Sequence, residues 1–175
     1  MRVVLSHWID AARIRFGRIR EHQLSFRKSI DRLRRRYTAM RYGAIDPSAS
    51  LGTRGEQAAA RLLRQKRLVI VARQESDRTG EIDLIAADPR RRVLIFVEVK
   101  TLASRKPGHP AERVDVDKQR RISRAALRYL KRKDLIGVPI RFDVVAVWWP
   151  EPSELPSRIE HYEHAFEPPD SYQLI

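Results

Sequence analysis

Apolar positions in the middle of this 175-residue chain follow two periods, helical stripes and short β-branched runs. A helix is expected from Thr53 to about Lys66, with Ala59, Leu62 and Leu63 as its inward stripe. Thr53 and Glu56 have capping-box spacing at its start. Leu68–Arg73 reads as a strand, and Gln74–Gly80 as a polar loop leading to a second strand, Glu81–Ala87. Asp88-Pro89-Arg90 supplies a tight turn, and Val93–Lys100 forms a third strand. After a polar loop over residues 101–111, the clearest helix runs from about Asp117 to Lys133. Its buried face is Ile122, Ala125, Ala126, Tyr129 and Leu130. Ile140–Trp148 is the fourth strand, and Arg158–His164 a short fifth. Helices interleaved with strands predict an α/β domain.

Charge divides the chain. The formal net charge is +14, and residues 1–42 carry twelve of the 36 Lys/Arg and three of the 22 Asp/Glu. Residues 1–45 therefore read as a basic N-terminal extension, either unordered or a surface-lying amphipathic helix. Residues 46–167 form the domain and 168–175 a tail. The sequence pI near 10.9 points to a polyanionic partner, nucleic acid or an anionic membrane surface. With no cysteine, disulfides and thiolate zinc sites are excluded. No run of 18 apolar residues and no secretory h-region is present, so a cytoplasmic protein is expected.

Three charged residues stand where apolar ones are expected. In Val97-Glu98-Val99-Lys100 the strand period puts Glu98 and Lys100 on one face, about 6.8 Å apart along the strand. Asp83 interrupts the preceding strand, and a short turn makes the two strands antiparallel neighbours, so Asp83 and Glu98 can converge. Hard carboxylate oxygens of this kind bind Mg²⁺ or Mn²⁺, which activates a water for attack on a phosphodiester. A lysine beside them orients that water or neutralises the developing charge. The bland alternative is a solvated strand edge with a surface ion pair. Glu81 shares a strand face with Asp83 and is expected in solvent. The second helix carries a one-signed stripe, Arg121, Arg124, Arg128, Lys131 and Arg132, suited to phosphate contacts. Gln119, one turn before Ile122, either contacts the site or substrate or lies on the helix surface. Asp143 is expected to pair with Arg141, the five histidines to be structural, and Trp148 and Trp149 to cover the core or an interface.

Taken in order, Glu56 on its helix, Gly80-Glu81-Ile82-Asp83, Val97-Glu98-Val99-Lys100, Lys118-Gln119-Arg120-Arg121, Arg141-Phe142-Asp143-Val144 and His164-Ala165-Phe166 resemble the YraN-type bacterial family. That family is placed in the restriction-endonuclease-like (PD-(D/E)xK) superfamily, related to archaeal Holliday-junction resolvases. The resemblance spans roughly residues 50–166. It implies a central mixed β-sheet flanked by helices and a Mg²⁺-dependent nuclease site, with Asp83 and Glu98 as metal ligands and Lys100 as the catalytic lysine. Glu56 would be a further carboxylate reaching the metal, unless it closes the capping box. Lys100-Thr101-Leu102 departs from the expected Lys-Thr-Arg.

The expected function is thus endonuclease-like hydrolysis of DNA, branched or structured DNA included. A non-catalytic nucleic-acid-binding protein on the same fold is the alternative, and a membrane- or ribosome-associated protein acting through its basic segment is a third. Junction-cutting relatives act as dimers, so a homodimer belongs with these expectations. Met40 is a second candidate start, which N-terminal mass spectrometry of the native protein would decide.

Overall fold

A computed structural model of the protein describes residue 38 and residues 40–77, 80–103, 114–150 and 152–168. From Tyr42 on, the described residues belong to one compact unit, which holds the sheet and the candidate site. The expectations for the basic extension fall almost wholly outside the described residues.

Helix α1 spans Leu51–Gln65, and Ser50 caps it by accepting a hydrogen bond from the Thr53 amide at 3.3 Å. This corrects the expected start. With Ser50 as the cap, Glu56 lies more than a turn into the helix, too far along to close a capping box. Its side chain accepts a hydrogen bond from Gln74 Nε2 at 3.1 Å instead.

Strand β1, Val69–Asp77, pairs antiparallel with β2, Gly80–Asp88, so most of the expected loop over Gln74–Gly80 is strand. The reason is position. β1 is an edge of the sheet, where Arg73, Gln74 and Ser76 stay exposed without cost, and the apolar alternation that marks a strand is lost. Strand β3, Val93–Leu102, pairs antiparallel with β2; helix α2, Val116–Arg132, then crosses over so that β4, Ile140–Trp148, lies parallel to β3. Strand β5, Arg158–Phe166, closes the sheet antiparallel to β4. The result is a five-stranded mixed sheet in the order β1-β2-β3-β4-β5.

Each face of the sheet carries one helix. Ala58, Ala59, Ala60 and Leu63 of α1 pack on Leu84, Ala86, Ile95, Val97, Val145 and Val147. Ile122, Ala125, Ala126, Tyr129 and Leu130 of α2 pack on Ile85, Phe96, Phe142 and Val144. Trp148 and Trp149 are buried, and Trp149 donates Nε1–H to the Ser153 carbonyl at 2.8 Å while the Arg54 guanidinium lies 4.7 Å over its ring. No helix among the described residues is long and apolar enough to cross a membrane.

Two glycines let the helices approach the sheet. A Cβ on Gly80 would meet the Arg121 carbonyl of α2 at 2.9 Å, and one on Gly55 would meet Thr101 Oγ1 at 1.8 Å. Gly55→Ala is therefore expected to overpack the α1–β3 contact and to cost about 1–3 kcal/mol. Denaturant titration should show the loss, and Thr101→Ala should restore much of it in the double variant. Full stability of Gly55→Ala alone would contradict this packing.

Candidate active site

The ladder between β2 and β3 runs from Asp88–Val93 to Leu84–Val97 and stops there. One step further along the same register Asp83 stands across from Glu98. Its carboxylate replaces the missing backbone bond, with Oδ2 accepting from the Val99 amide at 2.6 Å. The strands thus separate where the chemistry-bearing residues begin.

Glu98 is 3% exposed, and burial of an unpaired carboxylate would be costly. Lys100 Nζ reaches Glu98 Oε1 at 2.8 Å, as the strand period requires. A second ammonium comes from α2: Lys118 Nζ lies 3.1 Å from Glu98 Oε2. That approach is out of line for a hydrogen bond, so Oε2 is buried with no hydrogen-bond partner. Asp83 feels the same crowding. Burial, and then repulsion by Glu98, push its carboxyl up to about 7, against the Val99 bond and the Lys118 charge.

Glu56 approaches from α1 on the opposite face. Burial raises its carboxyl above the usual range, opposed by the Gln74 bond, with repulsion from Glu81 and more weakly from Glu98. It is within electrostatic reach of the centre but joins it in no described hydrogen bond. Glu81 is exposed, as expected. Among the described residues no set of three or more His, Asp or Glu side chains is placed to share one metal ion.

Lys118 is the participant that sequence reasoning missed as a site residue. It occupies the third position of α2, whose cap is Asp115 with its side chain accepting from the Lys118 amide at 2.7 Å. A cation in a helix's first turn opposes the macrodipole, and that misplacement was the available signal. Of the α2 residues that were singled out, Gln119 is half-buried and donates Nε2–H to the Val114 carbonyl at 2.8 Å, holding its own entry loop. Arg121 is exposed and Arg124 and Arg128 are half-buried. Arg121 and Arg124 line a depression of about 330 Å³ with Asp115, Asp117 and Arg120.

The donor set suits a hard divalent cation. Two carboxylates, one with a buried oxygen that is ion-paired but takes no hydrogen bond, are donors that Mg²⁺ would accept alongside water. With both carboxylates ionised, the two lysines leave the Asp83–Glu98–Lys100–Lys118 group neutral overall, so a divalent cation would make it attractive to a phosphodiester.

Asp143 belongs to a different cluster. It pairs with Arg141 as expected, Nη2 lying 3.1 Å from Oδ2, and both are buried. His161 Nε2 and the His164 amide complete its shell at 2.7 and 3.1 Å, so these two histidines serve Asp143.

The arrangement defines a mixed α/β protein with a buried carboxylate–lysine centre at the end of neighbouring strands. Comparison with known sequences then places the chain. Residues 55–147 match the Uncharacterised protein family UPF0102. A UPF0102 protein of Rhodopirellula baltica is 62% identical over 136 residues, covering 78% of this chain and 81% of that protein. UPF0102 proteins of Geobacter sulfurreducens and Chlorobaculum tepidum are 44% and 46% identical over 117 and 119 residues, or 67% and 66% of this chain and 88% and 91% of theirs. The chain belongs to the UPF0102 family.

The raised Asp83 carboxyl has a consequence for stability. Between its ordinary value of 3.8 and about 7 the folded protein keeps a proton that the unfolded chain has released. Stability contributed by this group therefore falls as pH rises through that window. Thermal melts in EDTA should show Asp83→Asn matching the wild type near pH 4 and exceeding it above pH 7. A variant less stable than the wild type at pH 8 would rule out this account of Asp83.

Proposed function

We propose that this protein is a restriction-endonuclease-like, divalent-metal-dependent nuclease that hydrolyses phosphodiester bonds in DNA, with branched or structured DNA as the substrate to test first. The carrying observation is the buried Glu98 carboxylate set between Lys100 and Lys118, with Asp83 crowded against it. Opposite charges at the end of an apolar strand have a use if a phosphate and a cation are to be held there.

Asp83 and Glu98 would hold Mg²⁺ or Mn²⁺, with Glu56, whose carboxyl feels the Glu98 charge, as a further carboxylate towards the metal. A bound divalent ion supplies Lewis acidity to the phosphoryl oxygen and lowers the pKa of its water. The chain's own residues do the rest. Lys100 and Lys118 are each about a quarter to a third exposed, so their ammonium groups can leave Glu98 for substrate. Lys100 orients the attacking water or offsets charge growing on the phosphate, and Lys118 donates to a second phosphate oxygen. Arg121, Arg124 and Arg128 run along α2 from this end and would contact flanking backbone, giving salt-sensitive, sequence-independent affinity. Cytoplasmic location and a homodimer, which two-strand scission of a junction would require, go with this reading as proposals.

A non-catalytic nucleic-acid-binding protein is the second reading. It is favoured by the absence, among the described residues, of a three-ligand metal cluster, and by two lysines that already neutralise Glu98.

Incubating the full chain with supercoiled plasmid, single strands and a four-way junction, in Mn²⁺ or in EDTA, separates the two. The nuclease reading expects metal-dependent cleavage, reduced by about 10²-fold or more in Lys100→Ala and abolished in Asp83→Ala. Binding without cleavage in any metal would favour the second. Equal cleavage by wild type and both variants would identify a contaminant. Metal affinity, followed by calorimetry, should fall about tenfold per pH unit below 7 as protons compete for Asp83.

A further inference from the structure

At the other end of α1, a second polar construction has no part in the carboxylate–lysine centre. Its floor is buried: the side chains of Arg141, Asp143 and His161 are 3%, 0% and 1% exposed. Asp143 Oδ2 receives Arg141 Nε at 3.2 Å, Arg141 Nη2 at 3.1 Å and His161 Nε2 at 2.7 Å. A carboxylate only accepts, so His161 carries a proton on Nε2, and its Nδ1 is left to accept from Lys66 Nζ at 3.0 Å. Glu163 Oε2 takes Arg141 Nη1 at 2.7 Å and Arg91 Nη1 at 3.2 Å. The buried network thus orients Arg141 and steadies two exposed cations, Lys66 from the end of α1 and Arg91 from the β2–β3 turn.

These groups surround a depression of about 200 Å³ that Arg67 and Arg90 also line. Five cations border it, Lys66, Arg67, Arg90, Arg91 and Arg141, against Asp88, Glu163 and the Asp143 beneath, a surplus of two positive charges. Asp143 and Glu163 are already engaged by Arg141, His161 and Arg91, so the fold does not need Arg67 or Arg90. Neither has an ion-pair partner among the described residues. The backbone adds to this. Arg67, which lines the depression, sits at φ 66° in a left-handed conformation where glycine would be relaxed, and the chain places arginine there.

We propose that this depression is a phosphate-binding site. Several guanidinium and ammonium donors converging on one hollow match the several oxygens of a phosphate. The volume lies below that of pockets for drug-sized ligands, which suits a phosphate group. The phosphate comes either from a nucleic-acid backbone or from solution. α1 holds the hollow roughly 15 Å from Glu56, from the rise of 1.5 Å per residue, so a backbone phosphate here would be remote from the carboxylate–lysine centre. The site is independent of whether that centre hydrolyses anything.

The test is amide NMR on the ¹⁵N-labelled full chain in EDTA. One arm titrates inorganic phosphate at constant ionic strength, and another a short duplex lacking terminal phosphates. Saturable shifts confined to residues 66–68 and 90–92 are expected in at least one arm. The Arg67→Glu/Arg90→Glu variant, altered only at exposed positions outside the buried network, should weaken them at least tenfold. Response to inorganic phosphate alone identifies a free phosphate or monoester, and response to the duplex identifies backbone. No localised, saturable response in either arm, or equal binding by the variant, overturns the proposal.

Discussion

A buried carboxylate at the end of a strand governs how this domain is assembled. Glu98 sits where β3 leaves the apolar core, and its charge has to be answered before the strand can be buried there. Lys100 answers it from two residues on, which only requires that β3 stay extended. Lys118 answers it from a different layer and so ties the start of α2 to the end of β3. That tie helps set where the crossover returns to the sheet, and Gly80 allows the closeness by leaving room for the Arg121 carbonyl. Asp83 then enters a space already holding one carboxylate, which is why its proton is held so firmly.

Much of this could be read from residues alone, for reasons that differ by element. Strand β4 was legible to its ends because Ile140–Trp148 is buried on both faces and reads as one apolar run broken only by an internal ion pair. β1 was cut short because an edge strand need not alternate. The α1 start was misjudged because Ser50 and Thr53 are both good caps at adjacent turns, and Leu51 and Gly52 give no periodicity to choose between them. Of the centre, Asp83, Glu98 and Lys100 were visible because charges in apolar strands are conspicuous. Their convergence followed from a turn too short for anything but antiparallel neighbours. Lys118 was hidden by its setting in a run of basic residues, where one lysine facing inward looks like any other on a solvated helix. The Asp143–His161 contact depends on β5 register across a bulge between Phe142 and Val144, which no local pattern encodes.

The two buried carboxylates of the sheet, Asp143 and Glu98, differ in how fully their oxygens are satisfied. Asp143 is saturated: two nitrogens of Arg141 and the His161 imidazole meet Oδ2, the His164 amide meets Oδ1, and every donor is fixed by its own strand. Removing Arg141 would leave a deep, uncompensated charge, and the donors from His161 and His164 tie β5 onto β4. Glu98 has one aligned donor, on Oε1, while Oε2 faces only a misaligned ammonium and takes no hydrogen bond. Both its cations are on long side chains open to solvent. An evolved fold that needed only neutrality there could have used the arrangement at Asp143, or an apolar residue, at less cost. Under-satisfaction beside a carboxyl that titrates near neutrality is what a site built to exchange protons and lysine contacts for a cation and a phosphate requires. It is also why the proposed chemistry is placed at the carboxylate–lysine end of the sheet and not at the larger ion-pair network.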